Sequence, residues 1–378
     1  MNSIQITGTA FLGADFRPEN VELTINNGII TDISPAREIS GKLILPAFFN
    51  AHTHIGDTVA LDTPIDRPLK ELVAPPNGLK HVILRETPND KLISAMRHSM
   101  EFMIRGGTIG FADFREGGIF GVSAISSARV PGITPVILGR DGGELMPESA
   151  GLGLSNAHRL DSEIEAAAAA KKAGKLVAVH AGEGGIKDIE PAFELEPDVI
   201  IHATNFCTKD IRRAADEDIA IVLCPRSNWL LGVTDSSKKP PVREILDAGC
   251  RVYLGTDNVM FVSPDMASEC AFLMTVYKTT PEETLSMAVG GFSLAGMSSV
   301  IEEGKPANLC VMGPPYEARR CRQAQDLQTQ GSRSRRSLLY SAGHARKRYF
   351  GILYEHCSLR FRGLAQSQPQ RGYFGLQV

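Results

Sequence analysis

Several common features are missing from this chain, and each absence narrows its class. No apolar run approaches the length of a membrane span, which argues against a helical membrane protein. The seven cysteines, at 207, 224, 250, 270, 310, 321 and 357, include no C-x-x-C pair. That spacing argues against a zinc ribbon or a disulfide scaffold and predicts a reducing compartment. Met1-Asn2-Ser3-Ile4-Gln5 shows no basic stretch leading into an apolar one, so no secretion leader is expected and the cytoplasm is the predicted location. No G-x-G-x-x-G follows the first barrel-like strand, which removes the usual dinucleotide reading.

What is present suits one large α/β barrel with an appendage, or two ordinary domains: 378 residues, 43% of them hydrophobic. The net charge of -3 is unevenly spread. From residue 313 onward eleven Arg and one Lys face only Glu317, Asp326 and Glu355, so this stretch carries +9 and the rest -12. An acidic body offers little to nucleic acid, and neither a nucleic-acid nor a membrane partner is expected. Residues 313–378, rich in Arg, Gln and Ser, show little period before Tyr349–Leu353 and Leu359–Phe361. They read as an atypical, poorly ordered basic tail, either a shifted reading frame or a lineage-specific extension.

Residues 1–46 hold short strand-like runs, Ser3–Phe11 and Val21–Ile33, with Asn26-Asn27-Gly28 as a tight hairpin turn. The rhythm then changes. Apolar runs at Leu43–Asn50, Thr108–Asp113, Thr134–Leu138, Gly151–Leu154, Leu176–His180, Asp198–His202, Ile219–Leu223 and Arg251–Gly255 alternate with helical stretches. In the clearest helix, Asp161–Ala173, Ser162 and Glu165 have capping-box spacing. Eight such units predict a (β/α)8 TIM barrel over 47–296. A small β-sandwich domain is expected from residues 1–46 together with a return segment, 297–312.

Polar residues collect at the ends of these runs, and in a barrel all of those ends open on one catalytic face. His52 and His54 stand two apart after Leu43–Asn50, so on an extended segment both imidazoles reach one ion. His180 ends Leu-Val-Ala-Val-His. Glu183, in Ala181-Gly-Glu-Gly-Gly185, reads either as a helix cap or as a proton shuttle beside an activated water. His202 reads either as a ligand or as the group that orients the water. Asp257, in Leu254-Gly-Thr-Asp-Asn258, reads as a ligand that also accepts the water's proton. Substrate contacts are expected from His81, Arg115, Arg140 and Trp229, the single tryptophan. For the arginines, locking of loops by salt bridges is an equal alternative, as is burial at the barrel rim for Trp229.

Together these segments resemble the amidohydrolase superfamily, in its cytosine deaminase and chlorohydrolase-like branch. The resemblance rests on Pro46-Ala-Phe-Phe-Asn-Ala-His-Thr-His54, His180-Ala-Gly-Glu183, His202, Cys224-Pro-Arg-Ser-Asn228 with Leu231-Gly232, Gly255-Thr-Asp257, and the closing Glu302-Glu-Gly-Lys-Pro-Ala-Asn-Leu309. It implies that His52, His54, His180 and Asp257 hold one divalent ion, Zn2+ or Fe2+, with Glu183 as acid/base and His202 orienting the water. Two-metal members carry a lysine on the fourth strand, and Gly151-Leu-Gly-Leu-Ser-Asn156 has none, so a single-metal site is implied. The expected activity is hydrolytic deamination of an amino-substituted nitrogen heterocycle (nucleobase, nucleoside or pterin-like). The alternatives are a cyclic amidase or chlorohydrolase on the same site, and an inactive barrel that serves as a binding protein. The expected partner is a small heterocyclic substrate, with homo-oligomers formed through outer helices.

Overall fold

The computed structural model describes residues 3–313 apart from 39, 62, 64–66 and 75. The basic tail from 314 onward, with Tyr349–Leu353 and Leu359–Phe361, lies outside the described residues.

The first sheet takes β1 (Ser3–Leu12), β2 (Arg17–Asn26), β3 (Ile29–Pro35), β4 (Leu43–Pro46) and the late β14 (Leu309–Met312), in the order β14-β4-β1-β2-β3. Asn27 and Gly28 join β2 to β3, and both take positive φ (51° and 80°). That backbone is what a two-residue hairpin needs and what Asn-Gly supplies cheaply. Alternating apolar residues of β2 (Val21, Leu23, Ile25) pack with Ile30, Ile44 and Ile301 into a small core.

The second sheet holds β5 (Phe48–His54), β6 (Thr108–Phe114), β7 (Thr134–Gly139), β8 (Gly151–Leu154), β9 (Leu176–Ala181), β10 (Val199–His202), β11 (Ala220–Leu223), β12 (Val252–Leu254) and the two-residue β13 (Asp257–Asn258). Neighbours run parallel in the order β12-β11-β10-β9-β8-β7-β6-β5-β13. β12 and β13 sit at opposite ends of that order, yet only Gly255 and Thr256 separate them, so the ring is closed and the fold is a (β/α)8 barrel. The seam is tight. Thr256 N donates to His52 O at 3.1 Å and to Asn50 Oδ1 at 3.0 Å, while Asn50 Nδ2 donates to Thr256 Oγ1 at 2.8 Å. A Cβ on Gly255 would fall 2.7 Å from His52 Cβ and 2.8 Å from His52 N, so only glycine lets the last strand dock there.

Two local expectations are corrected. The run Leu43–Asn50 is two strands: Leu43–Pro46 pairs with β1 and β14, and Phe48–His54 opens the barrel. The chain changes sheets at Ala47, whose N–H goes to Asn308 O, because Pro46 has no N–H to continue a ladder. The helix at Asp161–Lys172 is capped by Glu163, which accepts from Leu160 N at 3.3 Å and His158 N at 2.7 Å, not by Ser162 with Glu165. Ser162 already lies inside the first turn. One unit also departs from the alternation: β7 returns to β8 through the short 3-10 turn Gly143–Leu145.

Buried faces of the strands fill the interior. Phe49, Ala51, Phe114, Val136, Leu138, Ile201 and Val222 form one cluster with Phe292. Each fully buried phenylalanine or branched aliphatic there contributes about 1.5–3 kcal/mol relative to exposure.

Candidate metal centre

β5 with β13, and β9 with β10 elsewhere in the ring, bring their polar ends to one small cavity. His52 Nε2 lies 3.1 Å from Asp257 Oδ1 and 3.1 Å from His180 Nε2. Two donors about 2.0–2.1 Å from one tetrahedral zinc ion stand about 3.3 Å apart, so this spacing suits a shared cation. One donor atom each from His52, His180, His202 and Asp257 lies within 4.8 Å of the others, and all four residues are buried. His54 Nε2 approaches Asp257 Oδ1 at 3.6 Å. The tightest quartet therefore contains His202 where the expected ligand set has His54, and His54 stands beside it.

The ring orientations have causes. His180 Nδ1 donates to Leu154 O at 2.7 Å, which leaves Nε2 facing the centre with its lone pair. His54 Nδ1 meets Glu116 Oε1 at 3.0 Å, with the same effect. Ser227 Oγ donates to Asp257 Oδ2 at 2.6 Å, so Oδ1 is the oxygen that faces the imidazoles. His202 and Asp257 both hold positive φ (77° and 65°). This left-handed backbone costs non-glycine residues about 1–3 kcal/mol and turns the chain at the ends of the strands.

Electrostatics keep the donors in ligating form. Burial lowers His52 below the ordinary histidine value, and burial with the neighbouring imidazoles takes His180 well below it. Burial and then nearby Lys80 bring His54 down to about 3. Neutral imidazoles are what a cation needs. Burial would raise Asp257, but the His52 hydrogen bond and the surrounding rings hold its carboxyl well below the usual range. Buried, lone-pair-bearing His3Asp is a donor set able to hold one divalent ion. β8, the fourth barrel strand, carries no lysine.

Glu183 Oε2 lies 3.7 Å from His202 Nε2 at the mouth, with 23% of its side chain exposed. Burial of its carboxylate, reinforced by Asp257 and Asp188 against the pull of His202, raises its pKa above the ordinary glutamate value. The helix-cap reading of Glu183 finds no support, since no helix N–H donates to its carboxylate among the described residues.

The remaining expected residues separate. His81 reaches the cavity wall, its Nε2 3.1 Å from Val73 O. Arg115 is 1% exposed and spent on Glu116 (2.7 Å) and Asp113 (3.4 Å). Arg140 bonds Glu116 at 2.9 Å and Ser155 Oγ. For both arginines the geometry is that of loop-locking salt bridges. Trp229 donates to Tyr277 OH at 2.9 Å and packs edge-on against Phe272, outside the metal cavity.

Three residues escaped sequence reasoning. Lys80 is 4% exposed and bridges Asp57 Oδ2 (3.1 Å) and Glu116 Oε1 (2.8 Å) directly behind His54. Ser227 had a weak signal in Cys224-Pro-Arg-Ser-Asn228; Lys80 and Asp57 had none. Asp57, pushed up to about 6 by burial despite Lys80, has no other ion-pair partner among the described residues. Lys80→Met is therefore expected to cost about 3–5 kcal/mol by stranding buried carboxylates. Urea denaturation measures this, and an unchanged midpoint would show that Arg115 and Arg140 suffice.

The cavity over the centre is about 220 Å³ and is lined by Lys80, His81, Asn156, Glu183, Leu231 and Asn258 besides the imidazoles. A larger cavity of about 890 Å³ adjoins it, and His81, Ser155 and Asn156 line both.

The profile of the family described as Adenosine deaminase matches residues 149–301. A "Putative aminohydrolase" of Methanothermobacter thermautotrophicus is 34% identical over 365 residues, covering 84% of this chain and 94% of its own. Among solved structures, guanine deaminase from C. acetobutylicum with bound guanine superposes with a TM-score of 0.63 at 15% identity (87% of this chain, 94% of that one). Atrazine chlorohydrolase from Arthrobacter aurescens, complexed with zinc, gives 0.62 at 19% identity (81% and 86%). At these identities the structural likeness concerns the fold.

Proposed function

The chain belongs to the amidohydrolase superfamily, and from that premise we propose that it is a metal-dependent hydrolytic deaminase of an amino-substituted nitrogen heterocycle. The observation that carries this reading is the carboxyl group of Glu183, set 3.7 Å from His202 beside the His3Asp group, with a pKa that burial raises. Ammonia is a poor leaving group unless a proton is delivered to nitrogen, and Glu183 stands where that delivery is needed.

His52, His180 and Asp257, with His54 or His202 completing the set, would hold a divalent ion. A divalent ion, Zn2+ or Fe2+, supplies Lewis acidity that brings the acidity of a water near neutrality. Asp257, anchored through Oδ2 by Ser227, accepts a proton at Oδ1. His202 orients the attacking water and faces the charge that develops on the substrate. Glu183 gives its proton to a ring nitrogen, takes one back from the hydroxyl on the tetrahedral ring carbon and passes it to the amino group, which leaves as ammonia while the C–O double bond forms; its raised pKa suits both directions of transfer. The cavity of about 220 Å³ is smaller than sites for drug-sized ligands, roughly 300–1,000 Å³, and suits one small ring system. Cys207, Cys224, Cys250 and Cys270 stand as thiols, which supports a cytoplasmic setting.

The test is ammonia release from metal-loaded protein across cytosine, adenine, adenosine, guanine and a pterin, beside a cyclic amide and a chlorotriazine. Ammonia from at least one amino heterocycle is expected. Ring opening or chloride release alone would replace deamination with the amidase or chlorohydrolase reading.

A further inference from the structure

The 3-10 turn Gly143–Leu145 stands where a barrel of this kind usually packs a helix, and the 890 Å³ cavity lies against it. Glu144 on that turn is 6% exposed and lines the cavity; no hydrogen bond or ion pair reaches its carboxylate among the described residues, and since Oε2 is sealed from solvent, Oε1 is the oxygen that an entering molecule would meet. A buried carboxylate without a partner is costly, and one facing an open chamber is placed to be satisfied by whatever enters. Leu84, Leu92, Phe120 and Leu152 supply the apolar part of its lining, and Arg85, His158 and Glu163 stand among its polar residues. The other buried charges of the chamber are already paired. Arg115 and Arg140 are both bound to Glu116, so they offer no free cation for an anionic group.

The chamber is joined to the metal cavity along one wall. Ser155 and Asn156, just past β8, line both spaces, and His81 lines both from the other side. Leu154, whose carbonyl orients His180, also faces the chamber. A molecule with its ring at the metal centre can thus extend past Asn156 toward Glu144.

We infer that the substrate is a heterocycle carrying an arm that crosses the chamber and ends in hydrogen-bond donors received by Glu144. This rests on the deaminase reading for the ring and adds the identity of the rest of the molecule. Hydroxyls of a sugar and a protonated amine share that donor chemistry.

Calorimetry on the zinc-loaded full chain separates them. The probes are adenine and guanine, each bare, as the ribonucleoside and with an aminopropyl arm, beside the O-methylated nucleoside and a butyl arm as donor-free counterparts. One donor-ended arm is expected to bind about 10- to 100-fold tighter than its capped counterpart, the range for a hydrogen bond to a charged group. Whichever arm gains identifies the donor. In Glu144→Ala that ratio should fall to near one, and in Glu144→Gln the aminopropyl gain should vanish while a hydroxyl gain partly survives. Equal affinities for donor and capped arms, or a ratio unchanged in Glu144→Ala, would overturn the inference. If the variants do not fold, the ratio in the unaltered chain decides. Tighter binding without ammonia release would sink the deaminase reading and leave the chamber's role standing. Ammonia release with no donor preference would do the reverse.

Discussion

Glu183→Gln is expected to keep its metal and lose about 10²–10⁴-fold in ammonia release, the usual contribution of a positioned general acid–base. Glutamine preserves the shape at the mouth but has no proton to give and none to take back. Glu183 is not a member of the His52, His180, His202 and Asp257 quartet, so bound metal should stay near one equivalent by elemental analysis. The loss should fall on kcat more than on KM, because the proton moves only in the transition state. Turnover near that of the parent would remove the shuttle role. Loss of metal together with activity would instead make Glu183 a ligand.

Removing the ion should have the largest effect of all. Free water has a pKa near 15.7, while water activated by zinc titrates near 7. The protein side chains at the centre have no means to close that gap: the imidazoles of His52 and His180 are poor proton carriers there, since burial lowers both below the ordinary value. Dialysis against a chelator is expected to abolish ammonia release, and adding back Zn2+ or Fe2+ should restore it. The ion that restores the higher rate is the better candidate for the native one. Full activity in protein shown by elemental analysis to be metal-free would end the metal-dependent reading.

Much of this centre was legible in the chain because it is built at strand ends. His52, His54, His180, His202 and Asp257 each close an apolar run, and a closed parallel barrel brings such ends to one face whatever the details of its helices. Lys80 was not legible. It lies in the short helix Leu79–Glu86, where a lysine ordinarily faces water; its partner Asp57 stands more than twenty residues earlier in the same connection, and Glu116 follows β6. Only the tertiary path of the loop after β5 buries it. The break at Ala47 was hidden for a related reason: Leu43–Pro46 and Phe48–His54 are equally apolar, and neither says to which sheet it belongs. Glu144 gave no sign either, since a glutamate between glycines and Leu145 reads as an exposed turn residue. For Trp229, a ring contact and burial at the rim are equal readings of the sequence, and its hydrogen bond to Tyr277 with its edge-on packing against Phe272 fits the second.

Asp257 lies at the seam, one residue after Thr256 ties the last strand to His52 and Asn50. During synthesis the first histidines emerge some two hundred residues before their carboxylate partner, as the His52–Asp257 separation of 205 shows. A nascent or clipped chain lacking the final strand would offer loose imidazoles but no finished cage. Tight ion uptake would therefore report a completed ring.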